Sequence, residues 1–316
     1  MQIVDFLRDH IEDAIQLVRQ NRERERVFVP ACPMTPTLPD MNQFADNNLG
    51  VTAFEGDEMV GFLCSYPPIM RPFRLEGVMG AYSPKCANAA IGQNRAAVYA
   101  QMYQRAADKW AREGLSNHAI TLYAHDDEIH RQFFEYGFGL WGMNAARHME
   151  ALKETDAPLV SGIDFIELPR ERFSETLPLQ NMLVDHFRQS PMFIRFEYHT
   201  QEGLAAECAK LPFRYFGALY GDKMVAYMRV LKDMLDKGRQ NICGAYCMAD
   251  YRGRGIYPAL LDHVIAALKA EGNTLLEVDF ESFNPTARGF WLKYFTPYMC
   301  GVVRRIDEKA ILTSAL

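Results

Sequence analysis

Arg252, Gly253, Arg254 and Gly255, followed at once by Ile256 and Tyr257, have the composition of an anion cradle. Glycines let a backbone turn tightly and approach a ligand, and the first N–H groups of a helix point unpaired from its positive end. Two guanidinium groups add charge where a phosphate would sit. A surface turn with solvated arginines is the competing reading. A second set of reactive side chains follows in Leu275 to Glu281, where Glu277, Asp279 and Glu281 alternate onto one strand face. On a polar cleft their mutual repulsion raises one carboxylate toward the range of a general base. At a strand edge or end they are merely solvated acids.

The elements around these residues are legible. Asn241 to Met248 reads as an apolar strand entering the turn. After it, Leu260, Leu261, Val264, Ile265 and Leu268 recur at helical spacing, with Pro258 in the first turn, where its missing N–H costs little.

In this setting the run resembles the acyl-CoA-binding signature of the GNAT acetyltransferase superfamily, Arg/Gln-x-x-Gly-x-Gly/Ala. Arg252 and Gly255 match, and Tyr257 replaces the small final residue. Downstream, Asn284, Ala287, Phe290 and Phe295 fit the family's second motif, Asn-x-x-Ala-x-x-Phe-Tyr-x-x-Gly-Phe, whereas Trp291 and Tyr294 depart from it. The resemblance implies acetyl-CoA as acyl donor, with backbone groups of Cys247 and Met248 beside the pantetheine arm. It places the pyrophosphate on the N–H groups of Arg252, Gly253, Arg254, Gly255, Ile256 and Tyr257, and the CoA tail between Asn284 and Phe290. Acetyl transfer to an amine also needs a base and often an acid. Glu281, nearest the strand end, and Asp279 are the candidate bases, directly or through water. Family members commonly carry a tyrosine where Trp291 stands, so Tyr294 or Tyr246 is the candidate acid; the alternatives are packed aromatics and thiolate protonation by water.

The chain is internally duplicated. Val51 to Phe62 parallels Phe216 to Tyr227, each a strand, a Gly-Asp turn and a returning strand; Gly80-Ala81-Tyr82 recurs as Gly244-Ala245-Tyr246; Phe133 to Phe138 recurs as Phe290 to Phe295. Matches in one order at nearly constant separation argue for repetition. The expected fold class is α/β (α+β), with two tandem GNAT-like domains, 1–155 and 156–316. Each is expected to be a mixed, mostly antiparallel twisted sheet with helices on both faces. The join is expected in Lys153 to Gly162, where Pro158, Ser161 and Gly162 interrupt apolar runs. The halves differ chemically: after Gly80-Ala81-Tyr82 the first continues through Ser83 to Gly92 without paired glycines and arginines. It reads as a degenerate domain, with Val98, Met102, Ala106 and Trp110 as a packing face. Gly137 to Gly142 matches G-x-G-x-x-G, but a helix precedes it and a strand follows. That is the reverse of the dinucleotide-binding order, so these are helix-ending glycines.

Composition bounds the partners. With 49% hydrophobic and 23% charged residues in 316, the chain is ordinary for a folded protein of two domains. A net charge of -6 gives no general attraction to nucleic acid or anionic membrane. No run of about 18 apolar residues occurs, and the N-terminus lacks a basic-apolar leader. The chain reads as cytoplasmic, a monomer or homodimer. Seven cysteines without a C-x-x-C pair and scattered histidines give neither a disulfide framework nor a metal site. The resulting expectation is an N-acetyltransferase acting on a small-molecule or protein amine. The alternatives are a non-catalytic acyl-CoA sensor or scaffold, and an aminoacyl transferase using aminoacyl-tRNA, which the acidic charge disfavours.

Overall fold

Short, largely apolar runs buried on both faces set the central strands of the first unit. The computed structural model describes all residues except 34–37, 71–76, 153–158, 234, 235, 237 and 310–316. By its contacts the chain forms two units, Met1–Asn144 with Pro297–Leu316, and Ala145–Thr296. In the first, the elements are β1 (Gln2–Asp5), α1 (Ile11–Phe28), α2 (Asn42–Asp46), β2 (Val51–Glu55), β3 (Glu58–Leu63), β4 (Ile69–Met70), β5 (Met79–Ser83), β6 (Asn88–Ala90), α3 (Arg95–Arg112), β7 (Asn117–Tyr123) and α4 (Asp127–Glu135). Then β8 (Gly139–His148) carries the chain across the boundary. Strands β1, β2, β3 and β6 pair antiparallel in that order. Strand β5 pairs antiparallel with β4 and parallel with β7. The chain's last strand, β14 (Thr296–Arg305), lies antiparallel to β7 from Met299 opposite Tyr123 to Arg305 opposite Asn117.

Helices cover both faces of this unit. On one, Val98, Met102, Ala106 and Trp110 of α3 bury against Val51, Ala53, Leu63, Ile120 and Val302. On the other, Ala14, Leu17 and Val18 of α1 meet Phe62, Cys64, Ala87 and Ala89. Removing these apolar surfaces from water is the main force holding the layers together.

The second unit repeats the plan with β9 (Ile163–Glu167), α5 (Leu177–Arg188), α6 (Gln201–Lys210), β10 (Phe213–Tyr220), β11 (Lys223–Lys232), β12 (Arg239–Cys247), α7 (Ile256–Ala270), β13 (Leu275–Glu281) and α8 (Pro285–Tyr294). Strands β9 to β12 pair antiparallel in order, and β13 joins β12 in parallel. Leu179 of α5 and Leu204 of α6 pack on Tyr215 and Tyr227. Helix α7, with Leu260, Leu261, Val264, Ile265 and Leu268 all buried, packs on β9, β10 and β11.

The repeat extends to irregularities. Both hairpins slip register at the same place, between Ala53 and Phe54 and between Ala218 and Leu219. Both turn on a left-handed glycine, Gly56 at φ 61° and Gly221 at φ 58°. Gly137, at φ 78°, follows the end of α4 and precedes β8, as its place in the false dinucleotide motif required. The units differ from a division at 155/156: their boundary falls at Asn144/Ala145, and β14 has its partner β7 in the first unit. Strand pairing is decided by long-range register, which the local pattern of residues 296–305 does not carry. Positions 153–158 of the expected linker lie outside the described residues. Among the described residues no helix is long and apolar enough to cross a membrane.

Candidate functional site

Strands β12 and β13 begin as parallel neighbours and then part. Their pairing runs from Arg239 opposite Leu275 to Ile242 opposite Val278 and stops, although β12 continues to Cys247 and β13 to Glu281. At that point β12 slips against β11: Ile242 faces Val230 and Gly244 faces Arg229, leaving Cys243 as the extra residue of a bulge. The end of β12 borders a cavity of about 330 Å³, lined by Ala245, Tyr246 and Cys247, the turn after them, the start of α7, and residues of Asn284 to Tyr294 around α8. Leu183 and His186 of α5 complete the wall.

The turn is shaped by its glycines. Gly253 and Gly255 sit at φ 71° and 70°, where a side chain is strained, and Gly255 is the residue that starts α7. Among the described residues no side chain caps that helix, which leaves its first N–H groups for whatever occupies the cavity. The corresponding helix of the first unit, α3, is closed: the Asn94 side chain accepts from Ala97 N–H at 3.2 Å.

Arg252 has another task. Its Nε donates to the Cys247 carbonyl at 2.9 Å and its guanidinium lies 5.2 Å from the Tyr246 ring centre. It ties the turn back to β12, stacked on an aromatic face. Arg254 is exposed, lies against Tyr251 at 5.8 Å and does not line the cavity; neither does Met248. Of the other expected cofactor residues, Cys247, Arg252, Gly253, Gly255, Ile256, Tyr257, Asn284 and Phe290 all do.

Asn284 is buried at the start of α8, where its Oδ1 accepts from Ala287 N–H at 3.2 Å. Phe290 meets Tyr257 at 4.9 Å and Trp291 at 4.8 Å. Trp291 is buried and also packs on Phe295. The Tyr257 hydroxyl donates to the Tyr227 carbonyl, and burial holds it well above the ordinary phenol range. Burial pushes the Cys247 thiol up to about 11, so it stays protonated at neutral pH.

The predicted catalytic residues divide. Tyr246 and Tyr294 line the cavity. Glu277, Asp279 and Glu281 share a strand face opposite buried Leu276, Val278 and Phe280, but none lines it. Asp279 is exposed and accepts from Asn241 Nδ2 at 3.0 Å, and Glu277 lies 3.7 Å from Arg239 Nε. Sequence reasoning missed His186, whose Nε2 approaches Asn284 Oδ1 at 3.4 Å from 98 residues away. No local motif surrounds it.

In the first unit the equivalent ground is filled by side chains. Asn88 Nδ2 lies within bonding distance of Ser83 Oγ, Pro84 O and Thr121 O, while its Oδ1 accepts from Tyr99 and Lys85. Arg95 forks onto both oxygens of Asp126. Lys85 also reaches Asn88 O and faces the Tyr123 ring at 4.6 Å; burial pulls its ammonium down to about 8.

Residues 179–295, within the second unit, match the family model described as "Acetyltransferase (GNAT) family". Solved structures similar to the chain include a GCN5-related N-acetyltransferase from Sphaerobacter thermophilus, at TM-score 0.60 and 12% identity, covering 96% of this chain and 95% of that one. A tandem GNAT protein from the clavulanic acid biosynthesis pathway matches at TM-score 0.51 and 12% identity, over 96% of this chain and 98% of its own. At such identity the likeness is one of fold: two tandem GNAT-like domains. No curated protein matches the chain by sequence.

Proposed function

We propose that the chain transfers an acyl group, acetyl in the simplest case, from an acyl-CoA to an amine at the cavity of the second unit. The observation that carries this reading is the uncapped start of α7, with Gly253 and Gly255 in left-handed conformation, opening onto the cavity beside the end of β12. Backbone N–H groups at a positive helix end suit a pyrophosphate, and the unpaired edge of β12 suits the amides of a pantetheine arm. Gly253 leaves open space where a Cβ would stand, so a phosphate can come close to the backbone. The GNAT match over residues 179–295 supports the donor, because that family uses acetyl-CoA. The capped α3 and the Asn88 network support one working site per chain.

Thiol release from acetyl-CoA across a panel of amines tests the proposal, with calorimetry measuring CoA binding beside it. A second reading, an acyl-CoA sensor, is favoured by the three strand carboxylates lying off the cavity and by the packed Trp291. Tight binding without turnover across the panel selects it.

A further inference from the structure

We propose that His186 is the catalytic base of this site, taking the proton of the attacking amine on Nδ1. The assignment rests on the acyl-transfer reading above. It begins with Asn284, whose Oδ1 accepts from the backbone N–H of Ala287 at 3.2 Å and is thereby fixed as the oxygen of the amide. The same oxygen is 3.4 Å from His186 Nε2, a long contact that is favourable only when Nε2 carries the hydrogen. In the neutral ring that leaves Nδ1 with its lone pair, the form a base requires. Asn284 is anchored twice over, buried and holding the first turn of α8, so it is a rigid partner for the ring.

The other ionisable groups of the wall do not compete. Arg252 and Lys293 are cations, Cys247 is a protonated thiol, and the remainder are phenols. Among the described residues lining the cavity, His186 is the imidazole, and its Nδ1 offers a lone pair once Nε2 carries the hydrogen. Helix α5 packs over β12, so it brings the ring to the strand along which the thioester would lie. In the reaction the amine nitrogen bonds to the thioester carbonyl carbon, and its proton passes to Nδ1. The C–S bond breaks and CoA leaves as thiolate. The imidazolium returns its proton to solvent, from which the thiolate is protonated.

The test uses the whole chain with acetyl-CoA and the amine that supports fastest thiol release. His186→Ala is expected to lose about 10²-fold in kcat, to keep its CoA dissociation constant within about threefold, and to regain activity with added imidazole. His186→Gln is expected to be equally slow and without imidazole rescue, because no space is opened. Wild-type turnover in either variant, or a His186→Ala protein with intact CoA binding whose lost turnover imidazole leaves untouched, overturns the base. Wild-type protein that binds CoA yet releases no thiol with any amine overturns the transfer reading, and the base with it.

Discussion

Arg252 donates from Nε to the carbonyl of Cys247, so the arginine of the cofactor signature is a fastener between strand and turn. Its Nε is directed at the protein, and in the proposed site the anion-binding groups are the backbone N–H groups it holds in place. Arg252→Ala is expected to cost about 1 kcal/mol of stability, read by urea unfolding, and to weaken CoA binding about tenfold. Arg252→Lys should do little better, since an ammonium reproduces neither the Nε geometry nor the stacking on Tyr246. A lysine variant with near-normal affinity and undiminished salt dependence would mean that charge alone matters.

Gly255 is the hinge of the same turn. A side chain at φ 70° is strained by roughly 1–2 kcal/mol, and a carboxylate there competes for the uncapped start of α7. Gly255→Glu should therefore abolish CoA binding in calorimetry while circular dichroism shows the fold retained.

The first unit is expected to bind no CoA. Calorimetry should give one site per chain. Asn88→Ala should leave CoA affinity unchanged and cost roughly 3 kcal/mol, because several buried groups lose their partner together. Two sites per chain, or weaker CoA binding in the Asn88 variant, would contradict the division of labour.

Acid should destabilise the protein through His118. This ring is buried, with Nε2 bonded to the Leu115 carbonyl at 3.0 Å and Nδ1 at 2.9 Å from the Tyr103 hydroxyl. A carbonyl only accepts, so Nε2 is the donor, Nδ1 accepts from tyrosine, and the neutral ring is fully satisfied. Burial pushes its pKa down from 6.5 to about 4. The folded pKa is depressed, so the stabilisation is intact above 6.5 and is lost as pH falls from 6.5 toward about 4, at a cost of roughly 3 kcal/mol. Urea unfolding at pH 7 and pH 4 checks this. The stability advantage of wild type over His118→Gln should shrink over that interval.

What the sequence disclosed was mostly local. The cradle from Arg252 to Tyr257 is contiguous, and so are the helix that follows and the two Gly-Asp hairpins. Contiguous residues reveal their element through spacing alone. The role of Arg252 was hidden because spacing gives charge and not direction. Glu277, Asp279 and Glu281 do share a face, but periodicity cannot say that it stands off the cavity. His186 was invisible because its meaning comes from Asn284, which the fold brings near and the chain keeps 98 residues away. The placement of β14 was equally unreadable, since an apolar strand of its length suits either sheet.

That placement governs how the protein can be made. Val302 of β14 is fully buried in the core that also holds Val98, Trp110 and Ile120, and Ile306 N–H bonds to the Ser116 carbonyl. A ribosome therefore releases the first half of this chain long before it releases the strand that pairs with β7. Until Pro297 to Arg305 emerge, β7 is left with an open edge, and the unit synthesised first is among the last to close.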